Sequence, residues 1–589
     1  MRADAPKATI AVITGLLALG TPNARGQAPG TNYCSSTTNS TGQPAVMSAQ
    51  GSAYLDLNDL ILHAEPVPPN QMGIFFYGPD QASVPFGDGY RCVGPGSQGL
   101  FRLMPPLPTG QAGTLTQAVD YNQPPQTAGQ ITAGSTWRFQ AWFRDPVAGL
   151  SGFNLSDGYE ISFLPSTLMW FVSPAGDDLG PGTLDEPFLT IQRGMNEIGS
   201  LGQGGTVFVR EGTYREQVVI STSGSPGSEV ILRNYPGESP RIDGEGLDND
   251  DYTWGGLIQS QFYDHIIIEG LEVHNSPLAG IRLAEGDHLT VRACKTRNTV
   301  ESGVGIWHST NVWVLDNEIR LAVDGGGQEC LTIAGVENFL VAGNYITEPT
   351  ALTHAGIDIK GSSSYGLVTD NFVDGIPRNG IYLDAYNQEL HHVDVIANRS
   401  RLCANGITLS AEQDEGVLHD IRVMNNLCWD NYKVWCCQNV GAGILLSSLG
   451  GGSQHQMYNL AIINNTCYGN ELAGIYIAEN DHRGATVLRN NILAENVEAQ
   501  IGCGDTVPHD LTVDHNLSFG DAGSDEISGT DHLWADPLFV DAAGADFHIE
   551  PGSPAVDQGS SVDAPATDFD GFDRPCGAEV DIGAYEVCP

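Results

Sequence analysis

Basic residues are scarce in this chain: 26 Lys plus Arg stand against 71 Asp plus Glu, a formal net charge of −45 over 589 residues. That deficit excludes nucleic acid as a partner, because phosphate binding needs a positive surface. It also repels polyanionic polysaccharides at long range, unless cations bridge the two or the binding groove carries positive charge of its own. Long apolar runs are missing beyond the N-terminus; none reaches the roughly 18 residues of a membrane span. No CxxC pair has a matching second pair, so no zinc site is expected. GxSxG, P-loop and HExxH patterns are absent, and the glycine-rich DGGGQE at Asp324 follows no Walker spacing.

The N-terminus supplies the one apolar run. Arg2 and Lys7 precede Ala8 to Leu19, and small and polar residues follow, which is the layout of a secretory signal peptide over residues 1–26. Ala24 and Gly26 suit the cleavage positions, so the mature chain is expected to start near Gln27, to be exported and to act as a monomer. Twelve cysteines remain, an even number that permits disulfides in an oxidising compartment. Shared segments suggest Cys34 with Cys92 and Cys576 with Cys588. Cys436 and Cys437 are adjacent and unassigned.

Residues 31–166 are rich in Gly, Pro, Ser and Thr, with short alternating runs such as GIFFYG, STWRFQAWF and GYEISFL, and read as a small β-sandwich. FFYGP, FGDGYRCVG and GFNLSDG resemble a module that recurs at the front of secreted planctomycete proteins, which implies export and modular architecture but no activity. From Trp170 the stretch FVSPAGDDLGPGTLDEPFLTIQRGMNEIGSLGQGGTVFVREGTY resembles the opening of right-handed parallel β-helix proteins of the pectin-lyase-like superfamily. In that family a helix plugs the first coil and protects its open edge; here it is expected over Pro187 to Ile198.

A repeat then runs over residues 169–530. A G-I-x-I/L phrase recurs at Gly280, Gly356, Gly380, Gly406, Gly443 and Gly474, and an asparagine recurs at Asn317, Asn344, Asn371, Asn398, Asn426, Asn465 and Asn491. Intervals of 27, 27, 27, 28, 39 and 26 residues are those of a β-solenoid. Its coils bury Ile, Leu and Val while stacked Asn side chains satisfy turn backbone groups. The fold class expected is all-β, a right-handed parallel β-helix behind a sandwich-like domain. The segment 531–589, with DPLF, PGSPAVD and DIGAYE, resembles the tail that closes many secreted bacterial β-helix proteins and is expected to cap the solenoid.

Overlaying GIDIKGS, GIYLDAY and GITLSAE lists the outward neighbours on three coils stacked about 4.8 Å apart. One column holds Asp358, Tyr382 and Thr408, the next Lys360, Asp384 and Ser410, and a third Ser362, Tyr386 and Glu412. Arg378 enters from the preceding turn; Glu389, His391 and His392 follow, the histidines read as solvated loop residues for want of a third ligand. The flanking coils CLTIAG and GILLSSLG carry no such cluster.

Two chemistries fit this face. A polysaccharide lyase removes the C5 proton of a uronate with a base, here Lys360 with a depressed pKa, while cations neutralise the substrate carboxylate. Resemblance to the calcium-dependent pectate lyases implies calcium held by Asp358, Asp384 or Glu412, although the aspartate-rich runs of those enzymes have no match here. A glycoside hydrolase instead uses Asp358 and Asp384, about 8 Å apart on the diagonal, which falls in the inverting range. Tyr382 and Tyr386 would then stack on sugar rings. Against both stands a plain cross-strand ion pair between Lys360 and Asp384, worth about 0.2–1 kcal/mol, on a noncatalytic polysaccharide-binding or adhesion rod. Asp248, Asp250 and Asp251 lack a regular calcium-loop spacing.

Overall fold

The computed structural model describes residues 29–588, apart from 52, 54, 56–57, 59, 122, 150, 164–167, 203, 248–254, 350–353, 414, 433–440, 450–455, 479–483, 505–506, 509, 522 and 524–525. The leader, Asp248, Asp250, Asp251, Cys436 and Cys437 lie outside the described residues. Contacts divide the chain after Thr167 into two compact units.

The first unit is built from small antiparallel sheets. One runs through Thr31–Tyr33, Gly158–Ser162, Thr136–Arg144, Met72–Gly78 and Phe101–Arg102, another through Val46–Gln50, Ile61–Glu65 and Leu115–Ala118. Alternation along these strands sends Phe75, Tyr77, Phe139 and Phe143 from the first sheet, and Met47, Leu62 and Leu115 from the second, into one core. The expected disulfides Cys34–Cys92, here, and Cys576–Cys588, at the far end of the chain, are both formed. Among the described residues of the second unit, Cys294, Cys330, Cys403, Cys428 and Cys467 are buried thiols.

The second unit is the expected parallel β-solenoid. Three parallel sheets of 13, 13 and 11 strands run its length, each strand paired with its counterpart one coil on. A helix at Ile191–Leu201 closes the opening; Thr190 accepts from the Arg193 amide as its N-cap, and Gly202, at φ 61°, ends it. Ile191, Met195 and Ile198 enter the solenoid core against Val172 and Val207. The glycine of the G-I phrase answers a close approach. A Cβ at Gly356 would meet the Gly380 carbonyl oxygen at 2.6 Å, and one at Gly406 the Gly443 oxygen at 2.5 Å.

The asparagine ladder is continuous. Each amide from Asn317 through Asn491 donates to the next side-chain oxygen at 2.9–3.0 Å, and the run extends to Asn516. A second ladder, Asn431, Asn470, Asn496 and Gln500, went unread in the sequence. The final segment lies along the flank of the late coils. Asn425, Asn464 and Asn490 donate to its carbonyls, and Phe547 and Tyr585 pack with Leu427 and Trp429.

Candidate active site

Strands Leu331–Ala334, Ile357–Lys360, Asn379–Tyr386 and Asn405–Glu412 are consecutive members of the 11-stranded sheet. The register is the one the repeat implies: Asp358 faces Tyr382 and Lys360 faces Asp384, while Tyr382 faces Thr408, Asp384 faces Ser410 and Tyr386 faces Glu412. Ile357, Ile359, Ile381, Leu383, Ile407 and Leu409 fill the core on the opposite side. Ser362 falls beyond the end of its strand and joins no ladder.

This outer face is desolvated. Asp358 is 1% exposed, Tyr382 5% and Glu412 9%; Lys360 and Asp384 are half-buried, and only Tyr386, at 49%, stands clear in solvent. The partner that organises the cluster is Glu329, which the sequence reading passed over in DGGGQE. The Lys360 ammonium contacts the Glu329 carboxylate and lies 3.0 Å from Asp358 Oδ2. Glu301 holds the turn carrying Glu329 by accepting from the amides of Gly327 and Gln328 at 3.1 Å. Both oxygens of Asp358, and Oδ1 of Asp384, are buried without a hydrogen-bond partner. For Asp358 Oδ2 the contact with Lys360 is therefore an ion pair rather than an aligned hydrogen bond.

The electrostatics follow from this arrangement. Burial, reinforced by the Glu329 carboxylate, pushes the Asp358 carboxyl well above the ordinary range. Burial raises Asp384 to about 6 against the opposing pull of Lys360 and Arg378, and raises Glu412 to about 6 against Arg378. Burial opposes the charge on Lys360, but Asp358 and Glu329 outweigh it and hold the ammonium above its ordinary value. Lys360 is thus the reverse of the depressed base expected. His354 was also missed. Burial lowers its pKa, and it sits in the field of Glu329, Arg378 and Lys360. It precedes its G-I phrase by two residues, as Arg378 does. Tyr382 does not present its ring to a sugar: it is covered, and its hydroxyl donates to Glu412, which Ser410 also approaches at 3.3 Å.

The site does not fit a resident calcium ion. The Lys360 ammonium fills the position between Glu329 and Asp358 that a cation would take. Among the described residues, the one group of three His, Cys, Asp or Glu side chains with ligand atoms within 4.8 Å of one another is His392, His419 and Asp420, on another sheet. Glu389, His391 and His392 belong to the strand Glu389–Ile396 and not to this face.

Comparison with known proteins agrees with the architecture. The family model described as Pel9A-like, right handed beta helix region, matches residues 170–325, and that of the right handed beta helix region matches 258–454. The chain is 25% identical over 450 residues to "Uncharacterized protein YwoF" of Bacillus subtilis (strain 168), covering 65% of this chain and 91% of that protein. It is 32% identical over 146 residues to "Pectate lyase PEL9" of Emericella nidulans, covering 23% of this chain and 34% of that protein. The crystal structure of pectate lyase Pel9A superposes with a TM-score of 0.40 at 14% identity, over 71% of this chain and 96% of the other. Repeat, parallel register and the two family-model matches together make the solenoid of this chain a right-handed parallel β-helix, Pel9A-like over residues 170–325.

Proposed function

We propose that this protein is an exported polysaccharide lyase acting on a uronate-containing glycan at the face around Asp384. The observation that carries the reading is Asp384 itself: a half-buried carboxyl raised to about 6, with one unpartnered oxygen, opposite Lys360 on the neighbouring strand and in the field of Arg378. A base of that pKa works near neutral pH. Lys360 and Arg378 are the cations that this otherwise acidic face offers to a uronate carboxylate. They neutralise the substrate carboxylate as the C5 proton passes to Asp384; the C4=C5 double bond forms as the C4–O bond breaks, and the leaving oxygen takes a proton from solvent. Asp358 and Glu329 hold Lys360 charged and in place, Tyr382 and Ser410 orient Glu412, and exposed Tyr386 offers a ring to the sugar. The leader pattern and the two disulfides support export.

A second reading, hydrolysis by Asp358 and Asp384, is favoured by their diagonal register and raised pKa values. It ranks lower because Asp358, at 1% exposure, lies beneath the face that a sugar would touch.

The test is a panel of acidic and neutral polysaccharides, with calcium and with EDTA, followed by unsaturated-uronide absorbance and by reducing ends. Absorbance on a uronate polymer in both buffers, abolished by Asp384→Asn, is expected. Reducing ends without absorbance would replace elimination by hydrolysis. Silence across the panel, with retention on one insoluble glycan, would make the solenoid a binding rod.

A further inference from the structure

Around the corner from the lyase face, the strands Glu389–Ile396, Val417–Met424 and Gln456–Ile463 lie side by side in one of the 13-stranded sheets. Simple alternation would send His391 and His392 to opposite faces. Instead both lie between inward Leu390 and Val393, each fully buried, and the residue that breaks alternation is His392, in the left-handed region at φ 53°. The next coil repeats the irregularity with His419 and Asp420, the latter at φ 54°, between Leu418 and Ile421. Pairing accordingly runs His391 to His419 and then Val393 to Ile421. The same left-handed position recurs in neighbouring coils, at Asn338, Tyr365 and Asn459, so a turn repeated in register brings His391, His392, His419 and Asp420 to one patch, which period-two reading of the sequence cannot show.

Within the patch, His419 Nδ1 lies 2.6 Å and His392 Nδ1 3.8 Å from the same Asp420 oxygen, Oδ2. Ligand atoms from the three residues all lie within 4.8 Å of one another. A tetrahedral site with metal–ligand bonds near 2.0–2.1 Å has edges of about 3.3 Å, so a shift of about an ångström closes the three around an ion. The surroundings hold each ligand in a usable state. His419 Nε2 is 2.8 Å from Glu389 Oε1, a carboxylate that fixes a proton on that nitrogen, and Nδ1 meets Asp420 Oδ2 at 2.6 Å, a contact that a metal bound between the two would replace. Asn459 donates to Asp420 Oδ1 at 3.1 Å, so the oxygen that faces both imidazoles is Oδ2. The Tyr458 ring stacks on His419 at 4.6 Å, and His391 Nδ1 lies 2.9 Å from His392 Nδ1.

We propose that His392, His419 and Asp420 form a binding site for a divalent transition cation of the zinc class, clipping two adjacent coils together with one coordination position open. Two imidazoles and one carboxylate select such an ion over calcium or magnesium, which take oxygen ligands. The site is reachable, since the side chains of His392 and Asp420 are 39% and 36% exposed. His391 and His392, expected to be solvated loop residues, lie on a strand, and the further ligands that the proposal gives His392 lie in the next coil.

The experiment uses the untagged protein, stripped with EDTA and dialysed, then titrated with zinc chloride by calorimetry, with elemental analysis for stoichiometry and calcium chloride as control. One zinc per chain at micromolar affinity or tighter is expected, with a zinc-dependent rise in Tm. His392→Ala and Asp420→Ala should each weaken binding at least tenfold, and Glu389→Gln about tenfold through loss of the orienting carboxylate, while Lys360→Met and Asp384→Asn leave it unchanged. Circular dichroism checks that each variant is folded. Absence of saturable zinc binding, or binding of undiminished affinity in both His392→Ala and Asp420→Ala, would overturn the site.

Discussion

The ammonium of Lys360 lies 3.0 Å from Asp358 and directly against Glu329, so one buried cation serves carboxylates from two consecutive coils. Removing it as Lys360→Met leaves a fully buried carboxyl beside a second one, with no compensating charge. Breaking a buried pair from one side costs about 3–5 kcal/mol, and the loss should appear in urea unfolding near pH 8. Burial and Glu329 already favour the neutral form of Asp358, so acidification returns part of the lost stability. A variant as stable as the parent at pH 8 would show that Lys360 does not hold the cluster together.

Asp384 gives a pH dependence with a definite sign. Its folded pKa, about 6, is above the ordinary aspartate value of 3.8, so the folded state binds the proton more tightly than the unfolded chain. The associated stabilisation is full below about pH 4 and is lost as pH rises through 6, a change of roughly 3 kcal/mol for two pK units. Asp384→Asn should remove that slope when Tm is followed from pH 4 to 7. In the lyase reading kcat/KM rises through the same pKa, and the variant loses about 10²–10⁴-fold in kcat at every pH.

Much of this was legible in the chain itself. The G-I phrase and the Asn intervals announce a period, and a period gives the register, so the columns Asp358–Tyr382–Thr408 and Lys360–Asp384–Ser410 could be written down beforehand. What alignment of strands could not supply was the depth of the face and the contribution of turns. Glu329 and His354 lie outside the repeated phrase; a direct ion pair joins Glu329 to Lys360, and His354 sits in the field of Glu329, Arg378 and Lys360. For the same reason Tyr382 read as a sugar platform although its hydroxyl is committed to Glu412. The histidine patch stayed hidden because left-handed residues at His392 and Asp420 break the alternation on which outward and inward were assigned.

Tyr382→Phe tests that commitment. The substitution keeps the ring and removes the donor to Glu412, leaving the buried carboxyl with Ser410 alone. A cost of about 1–3 kcal/mol in unfolding free energy is expected for an acceptor stranded in the interior. Glu412→Gln in the same background should recover part of it, because a neutral amide tolerates burial better than a carboxylate. A double-mutant cycle in urea measures the coupling; additive effects would mean that the contact does not matter to the fold.

The asparagine ladder demands an amide and not merely a polar side chain. Asn371 accepts through Oδ1 from the backbone and side-chain nitrogens of Asn344, and donates through Nδ2 to the Val341 carbonyl and to Asn398 Oδ1, each at 2.9–3.0 Å. Asn371→Asp keeps the shape and both acceptor roles but turns the donor end into an oxygen facing two oxygens. Two stranded acceptors and a buried charge should cost at least about 2–4 kcal/mol near neutral pH, with partial recovery at acid pH as the new carboxyl takes up a proton and regains one donor. The isosteric change at exposed Asn387 should stay within about 0.5 kcal/mol. Equal urea midpoints for the two variants would mean that the solenoid stands on its aliphatic core alone, with the ladder a passenger.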